Sequence, residues 1–280
     1  MTDDFVALAA FLSERIGLVI DPNKRHAIEA RLQPVLAAKG FGRLSELVAR
    51  LKAGDDLALA NRVIDAMVTC ETLFFRDRRM FETLRTVLLP RLRDKRREAR
   101  RLRLWCAACA TGQEPYSLAM MLDEFARDFS GWQIDLLASD VSEAAVTAAS
   151  AGAYTQFEVQ RGLSTPLLLR HFHREGDVWR INDHLRARVE FRRANLLDDF
   201  GRFGRFDVIL CRNALMYMQV ERRREILRRL SSALADDGCL ILGAAETIVG
   251  LSDAFEADSD CAGLFRKSAP ARPLRLVVNS

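Results

Sequence analysis

The chain has 280 residues, of which 49% are hydrophobic and 29% charged, with a net charge of +4, a composition typical of soluble globular proteins. Acidic residues at its start argue against a secretory signal, and no apolar stretch approaches the roughly 20 residues of a membrane span. Six cysteines at irregular spacing are too few for a disulfide scaffold, so we expect reduced thiols and a cytoplasmic protein without membrane insertion.

The first 68 residues have the apolar spacing of helices, with hydrophobic side chains recurring at every third and fourth position. Asp21 followed by Pro22 is typical of a helix start, and Gly40 is typical of a helix end. Residues 1–68 are therefore predicted to form a small all-helical N-terminal domain of three to five helices.

A linker, residues 69–104, is predicted to contain the FFRD motif (Phe74 to Asp77) and then a basic helix. Positive charge is concentrated here, because residues 70–104 hold twelve bases and only five acids. A solvated helix flank explains this run without a partner. A surface for an acidic partner, such as nucleic acid, anionic lipid or an acidic protein helix, explains it equally well.

Beyond the linker, strand-like and helical segments alternate. The strand-like segments are RLRLWCAA, WQIDLLASD, ARVEFRRANLLD, FDVILCRNALMYM and GCLILGAAE, the last preceded by a turn expected at Asp236-Asp237-Gly238. This alternation predicts a mainly parallel sheet covered by helices, that is, an α/β Rossmann-like domain over residues 105–268. Residues 269–280 are predicted to be a tail.

One interval, about residues 153–188, breaks the alternation. Within it, REGDVWRI predicts a short β-hairpin with Gly176 in its turn. We interpret the interval as a β-subdomain inserted into the α/β domain.

Polar residues follow the predicted strands at their carboxyl ends, where open α/β sheets bind ligands. Gly112 lies after the first strand, Asp140 after the second, Asn195 after the third, and Arg212 and Asn213 after the fourth. An acid in the position of Asp140 can accept hydrogen bonds from both ribose hydroxyls. The fingerprint G-x-G-x-x-G is absent, which disfavours NAD. The pattern suits S-adenosylmethionine, an adenosine-bearing ligand without a pyrophosphate; a structural domain with capping polar residues is the alternative.

The motifs FFRD, CAACATGQEPYSLAM, SDVS, AGAY, ANLLD, FDVILCRNALMYM and LILGAAE, in this order, resemble those of the chemotaxis-receptor methyltransferases of the CheR type. That family transfers the methyl group of S-adenosylmethionine to glutamate side chains of bacterial chemoreceptors and releases S-adenosyl-L-homocysteine. The resemblance implies a Rossmann-like methyltransferase domain, a helical N-terminal domain and an inserted β-subdomain, the organisation predicted above.

The resemblance also implies roles for single residues. Arg76 and Tyr217 are the expected catalytic residues, lining the methyl-transfer site. The expected cofactor-binding residues are Thr72, Arg76, Glu114, Asp140 (on the ribose), Asn195 and Leu196 (flanking the adenine), Arg212 and Asn213. Cys70 stands where many relatives have asparagine, which puts a cofactor contact there in doubt.

Phe74 and Phe75 are expected to anchor the hinge between the helical and catalytic domains, which would hold Thr72 and Arg76 over the methyl group. Asp77 is expected to be a cap or an ion-pair partner rather than a catalytic acid.

Esterification of glutamate needs no catalytic histidine. A glutamate carboxylate, with a pKa near 4.3, is ionised at neutral pH, so no general base is required. The histidines lie outside the motifs and are interpreted as structural or solvated: His26, His171, His173 and His184. Cys106 and Cys109 have metal-ligand spacing, but no second pair or histidine accompanies them, and no metal is expected.

The expected partners are the cytoplasmic methylation helices of chemoreceptors, and the protein is expected to be a monomer. The candidate docking surface consists of basic residues: Lys24, Arg25, Arg31, Arg78 and Arg79. Some relatives grip a C-terminal receptor tether with a longer loop than FHREGDVW, so no tether dependence is expected here.

Two other functions stay open. The basic segment and a generic cofactor site would suit an RNA methyltransferase, although the Asn/Asp-Pro-Pro-Tyr motif of base N-methyltransferases is replaced by RNALMY, which disfavours nucleic acid. The second open function is that of a non-catalytic module that binds S-adenosylmethionine and scaffolds a signalling complex.

Overall fold

A computed structural model describes residues 3–259 and 261–268; the predicted tail, residues 269–280, lies outside the described residues. No helix in the described part is long and apolar enough to cross a membrane.

The N-terminal domain is helical, as predicted. Asp21 accepts a hydrogen bond from the backbone N–H of Asn23 at 2.9 Å and so begins a short 3₁₀ turn that leads into the second helix. Gly40, with φ +71°, ends that helix in the left-handed conformation. Buried leucine, isoleucine and valine side chains of all the helices form one core. The helices are α1 (Asp3–Ile16), α2 (Arg25–Lys39), α3 (Leu44–Ala53) and α4 (Leu57–Met67).

The basic helix of the linker is continuous but changes its winding. It consists of α5 (Arg78–Thr83), a π-helical turn (Leu84–Leu88) and α6 (Leu89–Lys95). Pro90 lacks the N–H that a regular helix would use, and the wider π-helical turn ends two residues before it, at Leu88. The first strand of the sheet begins at Arg101, so the predicted linker includes the first four residues of that strand.

The α/β domain contains one large sheet and one small one. Its elements are β1 (Arg101–Ala107), α7 (Gln113–Glu124), β2 (Gln133–Asp140), α8 (Glu143–Ala151), β3 (Ala153–Thr155), α9 (Gln156–Gln160), α10 (Thr165–His171), β4 (Phe172–Glu175), β5 (Val178–Ile181), α11 (Asp183–Arg186), β6 (Val189–Arg193), β7 (Phe206–Cys211), α12 (Val220–Ala233), β8 (Leu234–Leu242), β9 (Phe255–Ala257) and β10 (Leu264–Lys267).

The large sheet has seven strands in the order β6-β2-β1-β7-β8-β10-β9. The five predicted strands pair in parallel, which confirms the Rossmann-like prediction. From β1 the chain builds outward through β2 to β6 and then returns to place β7 on the other side of β1. The carboxyl ends of β1 and β7 therefore flank the topological switch point, where a ligand crevice is expected.

Two details of the sheet differ from the prediction. Strands β9 and β10 were not foreseen; they are three and four residues long, too short for a readable alternation, and β10 pairs antiparallel with β8. The turn predicted at Asp236-Asp237-Gly238 is wrong, because β8 runs from Leu234 and shifts its register against β7 there. A Cβ on Gly238 would lie 3.0 Å from the carbonyl oxygen of Phe206, so this bulge suits glycine.

The insertion forms a three-stranded antiparallel sheet in the order β3-β5-β4, with the predicted hairpin turn at Gly176. Phe74 is fully buried against it, edge-on to Tyr154 at 5.0 Å and to Phe172 at 5.6 Å between ring centroids. The FFRD motif is thus anchored on the insertion, not between the helical and catalytic domains, which corrects the hinge expected from the sequence. Phe75 is only half-buried and packs on Phe81.

Several arginines of the basic segment form ion pairs with acids of the sheet. Arg96 pairs with Asp207 at 2.8 Å and also with Asp237, and Arg101 pairs with Asp135 at 2.7 Å. These acids lie on β2, β7 and β8, so the linker helix and β1 are tied electrostatically to the sheet. Neither interpretation of the charge run anticipated this internal use.

The contact between the insertion and the FFRD motif depends on Gly162. This residue has φ +103°, and a Cβ on it would lie 1.8 Å from the carbonyl oxygen of Phe74. We expect Gly162→Ala to lower the free energy of unfolding in two ways. Backbone strain at a positive φ contributes one part, and the displacement of the Phe74 backbone adds about 1–3 kcal/mol to it. Chemical denaturation of the purified protein measures this.

Gly176→Ala is the matched control. Gly176 is also in the insertion and has φ +60°, but nothing lies within 4 Å of its added Cβ, so only the backbone strain of about 1–2 kcal/mol applies. Equal losses for the two variants would contradict the proposed role of the contact.

Candidate functional site

All nine residues that the sequence singles out for catalysis or cofactor binding line one pocket at the switch point. They come from the carboxyl ends of β1, β2, β6 and β7 and from the linker above them. They are Thr72, Arg76, Glu114, Asp140, Asn195, Leu196, Arg212, Asn213 and Tyr217. The structure therefore brings together every predicted residue, while their individual roles stay predictions.

Arg212 lies at the centre of the pocket floor, directly after β7, with a side chain only 2% exposed. It donates to Glu114 at 2.6 Å, to the Asp77 carboxylate and, at 3.1 Å, to the backbone carbonyl of Arg76. Asp77 is thus the ion-pair partner expected from the sequence. Burial raises the pKa of Glu114, and the Arg212 guanidinium opposes that rise.

The turn after β1 replaces the glycines of a dinucleotide site with alanines. Ala108 and Ala110 both adopt positive φ, +66° and +49°, a conformation that costs alanine about 1–2 kcal/mol. The strained turn aims the Ala110 N–H at Asp140, which accepts it at 2.9 Å. This N–H is consequently bonded to a carboxylate of the protein rather than left to bind a pyrophosphate.

Asp140 is 8% exposed and is held by backbone donors at both oxygens, from Ala110 and from Ser142 at 3.0 Å. Burial raises its pKa, and these N–H donors work against the rise. A carboxylate has about four acceptor positions, so each oxygen keeps capacity for a further donor such as a ribose hydroxyl.

The residues after β6 have a structural function that the sequence did not reveal. Asn195 donates from its side-chain amide to the carbonyl of Arg15 at 2.6 Å, and its side-chain oxygen accepts from Leu197 at 3.0 Å. Its amide is therefore already engaged in joining the sheet to the N-terminal domain. Leu196, 7% exposed, forms an apolar wall of the pocket.

The N-terminal domain also closes one side of the pocket, through Ile16 and Leu18. Leu18 bridges to Met218, and the backbone N–H of Val19 donates to the carbonyl of Tyr217 at 2.9 Å. Sequence reasoning missed these residues because only the tertiary fold brings α1 next to the loop after β7.

Glu246 is a further residue without a predicted role, although it ends the quoted LILGAAE motif. Its carboxylate accepts from the backbone N–H groups of Asn213 at 2.7 Å, Gly243 at 2.8 Å and Met216 at 3.2 Å. It therefore fixes the loop in which Asn213 has φ +58° and in which Tyr217 lies.

The mouth of the pocket carries Arg76 and Tyr217. Arg76 is half-buried and donates to the backbone carbonyl of Glu71 at 3.3 Å, whereas Tyr217 is 47% exposed. Cys70 lines the pocket near Asp140. Burial and then the Asp140 charge raise the pKa of its thiol to about 11, so it is protonated at neutral pH.

The pocket fits S-adenosylmethionine by its chemistry. Arg212 has a buried Nε–H that no described residue accepts, a donor suited to an amino-acid carboxylate. Asp140 has free acceptor positions for a ribose, and Leu196 and Val141 supply apolar surface suited to a base. A Rossmann-like sheet with this pocket at its switch point defines the class of S-adenosylmethionine-binding methyltransferases.

The chain belongs to the CheR methyltransferase family. Residues 70–261 match the family model described as CheR methyltransferase, SAM binding domain, and residues 3–68 match CheR methyltransferase, all-alpha domain.

Relatives are similar over nearly their whole length. The chain is 40% identical to chemotaxis protein methyltransferase 1 of Pseudomonas aeruginosa, over 90% of this chain and 93% of the relative. It is 38% identical to chemotaxis protein methyltransferase Cher2 of Pseudomonas putida, with the same coverage. It is 35% identical to the chemotaxis protein methyltransferase of Vibrio parahaemolyticus, over 88% of this chain and 90% of the relative.

Replacing Arg212 tests the charge network of the pocket floor. We expect Arg212→Met to lower the free energy of unfolding by about 3–5 kcal/mol, because the buried Glu114 carboxylate loses its counter-charge. Denaturant unfolding followed by circular dichroism measures the loss.

The double variant Arg212→Met, Glu114→Gln should lose less than Arg212→Met alone, since no uncompensated carboxylate then stays buried. Arg85→Met, which breaks an exposed pair with Glu82, is the control and should hardly change unfolding. A double variant no more stable than Arg212→Met would contradict this account.

Proposed function

We propose that this chain is a protein-glutamate O-methyltransferase that esterifies glutamate side chains in the cytoplasmic methylation helices of bacterial chemoreceptors. The observation that carries the proposal is the pocket mouth, where Arg76 and Tyr217 stand beside a cofactor pocket that no described histidine lines. A carboxylate nucleophile needs such donors and needs no base. The chemotaxis names of the relatives support the same substrate class.

The chemistry required of the protein is positioning. When bound, S-adenosylmethionine supplies an electrophilic methyl group on a sulfonium. A glutamate carboxylate is ionised at neutral pH and attacks without prior deprotonation. Arg76 would orient that carboxylate through paired N–H donors, and Tyr217 would add a hydroxyl donor.

Residues of the pocket floor would hold the cofactor so that its methyl group points to the pocket mouth. Arg212 and Glu114 would bind the amino-acid portion, Asp140 the ribose, and Leu196 the adenine. Arg212 also bonds to the backbone carbonyl of Arg76, so the group that holds the cofactor fixes the backbone of the group that orients the substrate.

Exposed basic side chains suit glutamate-rich receptor helices. Lys24 is exposed at the start of α2, and Arg78 and Arg79 are exposed at the start of α5. Arg31 reaches the carbonyl of Met67 at 3.4 Å, close to the pocket lining at Val68, whereas Arg25 is paired with Glu29. We infer that these side chains steer the acidic helix to the pocket mouth.

An RNA methyltransferase is not favoured. Its main support was the basic segment, and several arginines of that segment are paired with acids of the sheet. A non-catalytic signalling module would have no use for the donors at the pocket mouth. We propose that the protein acts as a monomer in the cytoplasm.

Methyl transfer from labelled S-adenosylmethionine to a receptor cytoplasmic fragment tests the function. We expect base-labile label on glutamate residues, because carboxyl methyl esters hydrolyse in alkali, and no label in RNA. Mass spectrometry of receptor peptides identifies the modified positions. Alkali-stable label in RNA would overturn the proposal.

Variants at the mouth test the assigned roles. Arg76→Ala should lower kcat/KM about ten- to hundredfold, the loss expected for hydrogen bonds to a charged group, and Tyr217→Phe about tenfold or less. Arg97→Ala changes an exposed arginine just beyond the linker helix; it is the matched control and should keep wild-type activity. Full activity in Arg76→Ala would remove that residue from the site.

The hairpin of the insertion supports independence from a receptor tether. Only Gly176 and Asp177 connect β4 to β5, whereas the resemblance implies a longer loop in relatives that grip a tether. We expect a peptide with a receptor C-terminal sequence to show no binding by calorimetry at micromolar concentrations. Deletion of that terminus should leave methylation of the receptor unchanged, and micromolar binding would contradict the expectation.

A further inference from the structure

The insertion meets helix α7 at a cluster of three metal-ligating side chains remote from the cofactor pocket. Asp123 lies in the last turn of α7, His171 at the end of α10, and His184 in α11. Glu114, which lines the pocket, lies in the first turn of the same helix, roughly 14 Å away along its axis. The sequence separates the three residues by up to 61 positions, so no spacing motif connects them.

Within the part of the chain that the structure describes, the ring of His171 has no hydrogen-bond partner. Its relative exposure is 0%, and both ring nitrogens are buried without a hydrogen bond. A buried polar atom left without a partner costs about 1–3 kcal/mol, so a fully orphaned imidazole is an unusual core residue.

The three side chains already surround one point. One ligand atom from each lies within 4.8 Å of the others, and the Asp123 carboxylate lies 4.0 Å from Nε2 of His184. Tetrahedral ligands of Zn²⁺ lie roughly 3.4 Å apart, so closure requires movements of about an ångström. His184 has a side chain 54% exposed and is free to make that movement.

Two arginines lie against the Asp123 carboxylate, so a bound cation has to compete with their positive charge for its oxygens. Arg188 lies 3.3 Å and Arg170 3.7 Å from the oxygens of Asp123, whose side chain is 18% exposed. Carboxylate ligands of metals are commonly hydrogen-bonded by a second group, and these arginines can hold the carboxylate in that way.

We propose that Asp123, His171 and His184 bind a divalent transition-metal ion of the zinc type, which fastens the insertion to α7. Two imidazoles and one carboxylate are ligands that Zn²⁺ accepts, and the exposed side at His184 leaves a position for water. The ion is structural, because it lies at the opposite end of α7 from the methyl-transfer site.

Metal binding to the full-length protein tests the inference without reference to methyl transfer. Chelator-treated protein is titrated with Zn²⁺ in competition with a chromophoric chelator, and with Co²⁺ under visible absorption spectroscopy. We expect one ion per chain, a rise in Tm with Zn²⁺, and Co²⁺ bands without the near-ultraviolet charge transfer of thiolate ligands. Absence of saturable binding, or thiolate bands from the cysteines, would overturn the proposal.

Two variants locate the ion. His184→Ala changes an exposed residue, and His171→Leu removes the buried ligand without leaving an orphaned polar atom. Each should weaken Zn²⁺ binding by at least about tenfold and abolish the rise in Tm. His26→Ala, an exposed histidine on α2, should bind Zn²⁺ like the wild type. Undiminished binding in His184→Ala and His171→Leu would place the ion elsewhere and reject the site.

Discussion

The pocket depends on the hydrogen bonds and ion pairs that the buried guanidinium of Arg212 makes. This guanidinium lies at the carboxyl end of β7 and joins the start of α7, through Glu114, to the FFRD motif, through Asp77 and the carbonyl of Arg76. A buried charge without partners would cost several kcal/mol, so the three segments that contribute these partners must stay together. The end of β7, the start of α7 and the linker are therefore held together by the charge of Arg212.

Local signals in the sequence predicted much of this arrangement correctly. Asp21 and Gly40 begin and end helices because capping needs only a neighbouring side chain or a left-handed residue. The convergence of Asp140, Asn195 and Arg212 followed from one rule, that parallel strands deliver their carboxyl ends to the same edge of a sheet. Residues whose role depends on such regular geometry are readable from sequence.

What the sequence did not predict depends on contacts between distant residues. The amide of Asn195 bonds to a carbonyl 180 positions earlier, and no local pattern marks that acceptor. Arg96 reads as part of a basic surface until the fold places it against Asp207, 111 positions later. The bulge at Gly238 resembles a turn in sequence, because bulges and turns both favour glycine.

The insertion affects the methyl-transfer site through packing, although it contributes no residue to the pocket lining. Phe74 is held between Tyr154 and Phe172, and the backbone of Gly162 packs on its carbonyl. Arg76 follows two residues later, so a displacement of the small sheet would move the guanidinium at the pocket mouth. Packed interfaces of this kind transmit movement because they have little free volume. Any ligand that holds the insertion in place would thereby also hold the position of Arg76 at the pocket mouth.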